Sequence, residues 1–431
     1  MYQRILLSMK VKRIGRSQQR LIFLAAIVAI YSAFVIHLNF LQGPAVWDEI
    51  HYWETSLLFS DRLIPSSDNF AQYSELSTPL PFVAFGALEY LFGQGIAAGR
   101  WLNLLLSIGM VIIIGWPGKH KTGLSLVCLV GLFTFQPYLW LSGRLYTEMV
   151  ACFWVLIGMM SYVHNRHLLS SFAFILAIAA RQYMIAFPAA IALCEFTALF
   201  THGLRYLRSA SLADHWRWIA PLIAVLSIFG WFYLFQGVAS ESALAKPGTP
   251  DVQRSAWALS PGGAIHFLAA VGAYIVIPEF FLFQPLARLR QWRQQWQKIA
   301  LIAVGLLLYI GMFPPVLEGL GKIAGFAGDL SQYNLSMLFF FSLSLLACIR
   351  FSNVSLMSAI FLVHAVLMMK AYPWDKYVLP ALLVFWYLKS LGLEERFRPR
   401  IVGSGRETGD RRQEKGDRGQ HVANLRNSRV M

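Results

Sequence analysis

Long apolar runs recur through most of the chain and constrain its fold more than any other feature of the sequence. A helical run of about 16 to 20 residues can cross most of a hydrocarbon core about 30 Å thick. Apolar residues make up 57% of the chain and charged residues 14%, whereas soluble domains usually carry about 25% charged residues. The sequence therefore predicts an all-α, polytopic membrane protein with about 12 transmembrane helices. The predicted spans are residues 21–41, 97–116, 122–141, 148–163, 168–180, 183–200, 217–236, 264–284, 299–315, 334–349, 353–370 and 377–391.

Basic and acidic residues are sorted between alternate connections of these spans. Residues 1–20 hold six Lys/Arg and no acid, and residues 286–298 hold four basic residues and no acid. The connection 42–96 instead holds seven acids and one arginine. Short loops rich in Lys and Arg stay in the cytoplasm, so the N-terminus is predicted to be cytoplasmic and 42–96 to face outward. The net charge of +15 is thus a topology signal, and nucleic acid is not an expected partner.

Three regions follow from this pattern. Residues 1–20 form a basic cytoplasmic N-terminus, and residues 21–393 form the transmembrane domain. Residues 394–431 have almost no apolar run, which predicts a disordered cytoplasmic tail. The compact loops favour a bacterial inner membrane over the endoplasmic reticulum. The cysteines all lie inside apolar stretches and are expected to be free packing residues: Cys128, Cys152, Cys194 and Cys348.

The outward connection 42–96 is too long for a simple linker, and loops of this length usually have a function. Its segments 47–59 and 79–93 are apolar, helical in spacing and too short to span, so both are predicted to be interfacial helices. Asp48 and Glu49 lie near the start of the first segment. Such carboxylates can act as a general base. Alternatively, Asp48 caps the helix and Glu49 lies in its first turn.

Several motifs of the chain resemble those of the GT-C class of polytopic glycosyltransferases. The resemblance is carried by WDEIHYW at 47–53, by TPLPFVAFGALEYLFG at 78–93 with the following Arg100, and by QPYLWLSGRLYTEM at 136–149. In that class one span is followed by a long outward loop that opens with an acidic motif. The second outward loop of the class contains a further acidic residue, which here corresponds to Glu148.

Within the class, the chain is most similar to the lipid-linked-oligosaccharide α-1,2-glucosyltransferase family. The shared features are Asp48-Glu49-Ile50 with a later Thr78-Pro79, the sequence Ala180-Arg181-Gln182, and a polar loop before the helix that contains His266. The segment YPWDKYVLP at 372–380 is similar to the class more than to this family.

The resemblance implies transfer of a glucose-like hexose, inverting or retaining, from a polyprenyl- or dolichyl-phosphate sugar to a glycan or glycolipid acceptor on the outer side. Asp48 is then the leading candidate for the catalytic base, with Glu49 next. Arg181 is the preferred partner of the donor phosphate, because it interrupts an apolar stretch. The alternative is a purely structural role for the candidate cations, which would then extend to the membrane surface or pair with Glu148 or Asp375. Asp375 and Lys376 could also pair with each other. The candidate substrate-binding residues are Tyr52, Trp53, Arg144, Glu148, Arg181, Gln182, His266 and Lys376, with Arg254 as a further cation.

Other site chemistries have no motif in the sequence. It contains no Walker loop, no HExxH helix and no Asp-x-Asp pair, so neither a metal nor a cofactor is expected. Two rival functions stay open. A transporter or flippase would use charges at mid-membrane, for which Glu279 is the best single residue. A polysaccharide ligase or polymerase would share the topology and the lipid-linked donors, but would be expected to have its largest outward loop late in the chain.

Overall fold

The computed structural model describes residues 15–39, 43–118, 124–202, 212–255, 257–283 and 285–396. Within these ranges the chain forms helices and one isolated β-bridge between Leu320 and Trp374, so the predicted all-α class is confirmed. The N-terminal residues 1–14 and most of the predicted tail, residues 397–431, lie outside the described residues.

The first half of the chain contains, in order, α1 (Arg16–Leu38), α2 (Asp48–Leu57), α3 (Ser67–Gln72), α4 (Leu80–Phe92), α5 (Ile96–Gly115), α6 (Ser125–Phe133), α7 (Gln136–Ser142), α8 (Thr147–Val163), α9 (His167–Ala180), a 3₁₀ turn (Gln182–Ile185) and α10 (Ala186–His202).

The second half contains α11 (Leu212–Leu226), α12 (Ile228–Phe235), α13 (Glu241–Leu244), α14 (Asp251–Arg254), α15 (Pro261–Val271), a π-helical segment (Gly272–Val276), α16 (Ile277–Leu282), α17 (Pro285–Gln294), α18 (Trp296–Met312), α19 (Lys322–Ser331), α20 (Ser336–Arg350), α21 (Leu356–Met368), a 3₁₀ turn (Asp375–Val378) and α22 (Leu379–Leu391).

Each predicted span coincides with a helix or with consecutive helices. Among the described residues, four helices are long and apolar enough to cross a membrane, or five if one bent pair counts as a single span. Seven further apolar helices have 10–17 residues. Long apolar helices of this kind are the property of a membrane-embedded protein. The number of spans stays a prediction.

The predicted span 122–141 is not one continuous helix. It divides into α6 and α7, whose axes are bent by 82°. Pro137 lies in the first turn of α7, and a proline there cannot donate a backbone hydrogen bond to the preceding turn. Proline is favoured in the first turn of a helix, so Pro137 marks the start of a new helix after the break at Phe135.

Large apolar side chains cover the outer surface of several helices. On α18, Leu301, Leu308 and Met312 are 75%, 64% and 67% exposed. An apolar surface that continues along a whole helix is rare on a soluble monomer and is normal where lipid covers it.

Helix α22 forms the centre of the bundle. Every residue from 379 to 390 is buried, and the helix packs against α5, α6, α8 and α21. A helix that is covered on all sides needs no polar face, which explains its almost unbroken apolar sequence. Its position fixes the 3₁₀ turn before it, Asp375–Val378, against the helices of the first half.

The described part of the connection between α1 and α5 contains the two helices predicted for 47–59 and 79–93, together with the short α3. Helix α4 begins after Pro79 and ends at Gly93, whose φ of 57° is the left-handed conformation that glycine adopts readily. Helices α2 and α4 pack closely at Gly86, because a Cβ at this position would lie 2.6 Å from the carbonyl oxygen of Ser56. The two helices therefore form one compact unit.

Candidate functional site

Glu49 is completely buried, and its carboxylate is fully engaged. Arg100 donates from Nε to Oε1 at 2.8 Å and from Nη2 to Oε2 at 2.9 Å. The Leu145 N–H donates to Oε1 at 2.8 Å, and the Val46 N–H donates to Oε2 at 3.2 Å. Arg144 completes the set with an Nη1–Oε2 distance of 3.2 Å. This carboxylate fastens the first loop to α5 and to the loop before α8.

The surroundings of Glu49 decide its ionisation. Burial alone would raise the pKa of its carboxyl group, but the hydrogen bonds from Arg100 and from two backbone N–H groups hold the pKa below its usual value. A carboxylate with a lowered pKa and five donors is a poor proton acceptor. Its geometry is that of a structural anchor, whereas the sequence placed it beside Asp48 as a second candidate base.

Asp48 is the first residue of α2, and its side chain is 40% exposed. The expectation that Asp48 caps the helix is wrong, because the cap residue is Trp47 and no side chain caps this helix end. Trp47 has a φ of 54°, an unfavourable value for a residue with a Cβ. Glu49 does lie in the first turn, as predicted. The two adjacent acids thus differ in exposure, and Asp48 is the one that a ligand can reach.

Glu148, Arg181 and Lys376 form a buried cluster next to Asp48. Oε1 of Glu148 lies 2.7 Å from Nη2 of Arg181 and 2.8 Å from Nζ of Lys376. The Arg181 guanidinium also donates to Oγ1 of Thr147, from Nε at 2.9 Å and from Nη2 at 2.5 Å. Nζ of Lys376 reaches Oδ2 of Asp48 at 3.7 Å. Two carboxylates and two cations from four separate segments therefore meet at one place.

Aromatic rings surround the ammonium group of Lys376. Its Nζ lies 3.3 Å from the ring centroid of Trp374 and 5.0 Å from that of Tyr146. Such cation–π contacts stabilise a cation that has lost most of its water. Burial lowers the pKa of Lys376, and the nearby Arg181 adds to the effect, although Glu148 opposes it.

The turn that carries Lys376 is held by its neighbour, Asp375. Tyr274 donates to Oδ2 of Asp375 at 2.6 Å, the Ile323 N–H donates to the same atom at 3.1 Å, and Nε2 of His266 lies 3.3 Å from Oδ1. The expected pairing of Asp375 with Lys376 is therefore wrong. Asp375 therefore bonds Tyr274 and the start of α19, whereas the neighbouring Lys376 bonds Glu148 of α8.

Gly321 makes this anchoring possible. It precedes α19 with a φ of 109°, and a Cβ at this position would lie 2.4 Å from Cγ of Asp375. A glycine is needed here both for the backbone conformation and for the approach of the carboxylate. The Ile323 N–H, in the first turn of α19, then donates to Asp375 at the helix end that favours a negative charge.

The remaining predicted residues lie around this cluster or support it. Tyr52 accepts a hydrogen bond from Nη2 of Arg181 at 3.4 Å, and Trp53 is partly buried against the main core. Gln182 donates to the carbonyl oxygens of Leu76 and Val238, so it joins the loop before α4 to the loop after α12. Arg254 pairs with Asp251 at 3.7 Å instead of joining the cluster.

Two features of the site had no clear signal in the sequence. The π-helical segment Gly272–Val276 carries Tyr274, which bonds Asp375, but apolar periodicity does not distinguish a π-helix from an α-helix. Oε1 of Glu75 lies 2.7 Å from Nε2 of His51 and 3.2 Å from Nζ of Lys246, so it connects α2 to the loop between α13 and α14. A single acid in a polar loop gives no indication of such distant partners.

Glu279, the best residue for a transport site, lies in a different cluster. Arg350 donates to both of its oxygens, at 2.6 and 2.9 Å, and Nζ of Lys389 lies 2.7 Å from Oε1. Lys389 and Arg350 also pair with Glu394 and Glu395, which the sequence analysis assigned to the tail. This cluster fastens the end of α22 to α16 and α20.

The fold and the two clusters define a membrane-embedded helical protein with a partly open, charged site formed by its predicted outward loops. The chain matches no protein-family model, no curated protein and no solved structure.

Proposed function

We propose that the chain is a membrane glycosyltransferase that moves a glucose-like hexose from a polyprenyl-phosphate sugar to a glycan or glycolipid acceptor. One observation carries the proposal. Asp48, a carboxylate open to a ligand, lies 3.7 Å from a lysine that is itself held by Glu148 and Arg181. The arrangement brings a base and phosphate-binding cations together, as such a transfer requires.

In the proposed reaction Asp48 accepts the proton of the acceptor hydroxyl. The acceptor oxygen forms a bond to the anomeric carbon of the donor sugar, and the bond from that carbon to the phosphate oxygen breaks. The electron pair leaves with the polyprenyl phosphate. A single displacement of this kind inverts the anomeric configuration.

Lys376 and Arg181 are the proposed partners of the leaving phosphate. Both cations are buried, which strengthens their attraction for a negative charge. Arg144 is 19% exposed and holds Glu49 through Nη1, so it can offer further donors at the same surface. Glu49 with Arg100 supports the site by fixing the start of α2. Tyr52 and Trp53 form its aromatic edge.

The topology belongs to the same proposal. Twelve spans would place α2, α4 and the cluster at the outer surface, and both termini in the cytoplasm. The two interfacial helices would then lie where a membrane-anchored donor arrives. A bacterial inner membrane is the proposed location.

The test measures transfer of radiolabelled sugar from a panel of polyprenyl-phosphate hexoses in membranes. Asp48→Asn keeps the size of the side chain and removes its basicity, so transfer should fall by at least about 100-fold. Asp61→Asn is the matched control, since Asp61 lies in the same loop and makes only a surface pair with Arg62. Full activity of well-expressed Asp48→Asn would exclude Asp48 as the base.

The rival functions have less support. A transport site would need a mid-membrane charge that can release its partners, whereas Glu279 is held by two cations. A polysaccharide ligase or polymerase would use the same donors. Its products would carry whole glycans instead of single hexoses, so the transfer assay distinguishes it.

A further inference from the structure

Helix α17 is a basic segment between two apolar helices. The helical segment Pro261–Leu282, which ends with α16, is long and apolar enough to cross a membrane, and α18 is a further apolar helix. Only residues 283–284 separate α16 from α17, and only Gln295 separates α17 from α18. Trp292 of α17 also stacks on Phe280 of α16, with ring centroids 5.9 Å apart. Connections this short cannot carry α17 far from its neighbours, so the helix is confined to the membrane surface.

The charge of this part of the chain is entirely positive. Residues 280–317 contain four Lys or Arg and no acid. Arg290 and Arg293 are exposed and have no ion-pair or hydrogen-bond partner among the residues that the structure describes. Like charges on neighbouring turns of a helix repel each other, a cost that a shared anion would remove. Lys298 of α18 differs, since it donates to the side chain of Asn353 at 2.9 Å.

Exposed apolar side chains border the two arginines. Leu289 is 48% exposed, and Trp296, the first residue of α18, is 64% exposed. The helical repeat of about 3.6 residues per turn places Arg293 between Leu289 and Arg290 on the surface of α17. A basic edge beside an apolar edge is the pattern of a helix that lies among lipid headgroups.

The chemistry of an anionic phospholipid matches both edges. Guanidinium groups bind phosphate oxygens through paired hydrogen bonds, and acyl chains cover apolar side chains. The surface is continuous with the outer face of α18, where Leu301 and Leu308 are exposed as on a lipid-covered helix. A soluble anion would leave Leu289 and Trp296 in water. A zwitterionic lipid would bring a cation together with its phosphate, which weakens its attraction for the arginines.

We propose that α17 and the start of α18 form a binding surface for an anionic phospholipid. Arg290 and Arg293 pair with the lipid phosphate, and Leu289 and Trp296 contact its acyl chains. This surface is separate from the cluster at Asp48, and the inference does not depend on the proposed glycosyl transfer.

Native mass spectrometry of the full-length protein in detergent tests the proposal. The protein is titrated with phosphatidylglycerol, with phosphatidylcholine of the same acyl chains, and with glycerol phosphate as a soluble competitor. Phosphatidylglycerol should bind more tightly than phosphatidylcholine. Arg290→Gln with Arg293→Gln should raise the Kd of phosphatidylglycerol by about 5- to 25-fold, about fivefold for each cation, and leave that of phosphatidylcholine unchanged.

Two further double variants serve as controls. Arg62→Gln with Arg254→Gln removes the same charge from two exposed arginines that each already pair with a nearby acid. The Kd of phosphatidylglycerol should not change in this protein. Arg290→Lys with Arg293→Lys keeps the charge on α17 and should retain the preference for phosphatidylglycerol.

Trp296→Ala tests the apolar edge separately. It keeps both arginines and should weaken the binding of both phospholipids alike, whereas no effect on either lipid would reject the apolar contact.

Four results would overturn the proposal. The first is equal binding of the two phospholipids by the wild type, and the second is an unchanged Kd after replacement of Arg290 and Arg293 by glutamine. The third is the same loss of affinity in Arg62→Gln with Arg254→Gln, which would show a dependence on net charge alone. The fourth is displacement of phosphatidylglycerol by an equal concentration of glycerol phosphate, which would show a site for soluble anions.

Discussion

Nζ of Lys376 lies 2.8 Å from Oε1 of Glu148 and 3.7 Å from Oδ2 of Asp48, so one ammonium group joins a buried carboxylate to a half-exposed one. The shorter contact holds the lysine in place. The longer one leaves Asp48 with room to exchange partners, which a proton acceptor needs. A donor phosphate that enters beside Lys376 would therefore reach a cation whose position is already fixed.

Lys376 should give the transfer reaction an alkaline limit. Burial lowers its pKa from the ordinary value of 10.5, so the ammonium loses its proton, and the site its charge, at a lower pH than an exposed lysine would. Activity should fall as the pH rises through this lowered pKa. Lys376→Arg should remove the limit, because arginine stays protonated. Lys376→Met should lower transfer by about 100-fold below the pKa of Lys376, and this deficit should shrink at higher pH, where the wild type also loses its charge. A pH–rate profile of the three proteins decides this, and an identical alkaline limit in Lys376→Arg would contradict it.

Glu49→Gln should lower stability more than any substitution of an exposed acid in the same helix. The change leaves the buried Arg100 without its anionic partner, which costs about 3 kcal/mol or more. Glu54→Gln is the control, since Glu54 is exposed one turn later in α2. Thermal unfolding in detergent measures both, and equal melting temperatures would count against the anchoring role.

The same anchor predicts a dependence of stability on acid. The pKa of Glu49 in the folded protein is lower than its usual 4.5, so the stabilisation by its charge is fully present above about 4.5. It is lost as the pH falls through the lowered folded value. The difference in unfolding free energy between wild type and Glu49→Gln should therefore shrink below pH 4.5. A difference that does not change with pH would show that the hydrogen bonds act without the charge.

Gly321→Ala should loosen the turn that carries Lys376. The new Cβ meets the Asp375 carboxylate, and the φ of 109° is strained for alanine, so stability should fall by about 1–3 kcal/mol. Transfer should fall as well. Gly325→Ala, in the helix α19 that follows Gly321, meets no atom within 4 Å and should be neutral or slightly stabilising. Equal behaviour of the two variants would contradict the close approach of Asp375.

Glu279→Gln separates the proposed enzyme from a transporter. It leaves Arg350 and Lys389 without their shared carboxylate, so stability should fall by about 3 kcal/mol or more, while the folded fraction transfers sugar at the normal rate. Glu241→Gln, at an exposed position in α13, is the control. A substitution at Glu279 that stops transfer in fully folded protein would place this residue in the functional cycle.

The sequence predicted the helices well because apolar periodicity is a local property. Helices α2 and α4, and also the short α9, lie where the sequence predicted helices. The break between α6 and α7 could have been anticipated from Pro137, but the apolar run conceals it. What the sequence could not provide is the direction of individual side chains.

Asp48 and Glu49 illustrate this limit. Both are acids beside aromatic residues, and only the tertiary contacts with Arg100 and Lys376 assign one to the interior and the other to the open site. Arg181 was selected because a charge in an apolar stretch needs a partner, and its role toward the donor phosphate stays a prediction. The sequence named Glu148 as one such partner, but Thr147 was not foreseen.

The burial of α22 on all sides has a consequence for the order in which the helices assemble during synthesis. Residues 379–390 are synthesised after nearly all of the helices that surround them, so those helices must enter the membrane before their central neighbour exists. Until α22 is added, the surfaces of α5, α6, α8 and α21 that pack against it lack this partner. Lys376 arrives immediately ahead of α22, and the nascent chain gains its charged site only in the closing stage of insertion.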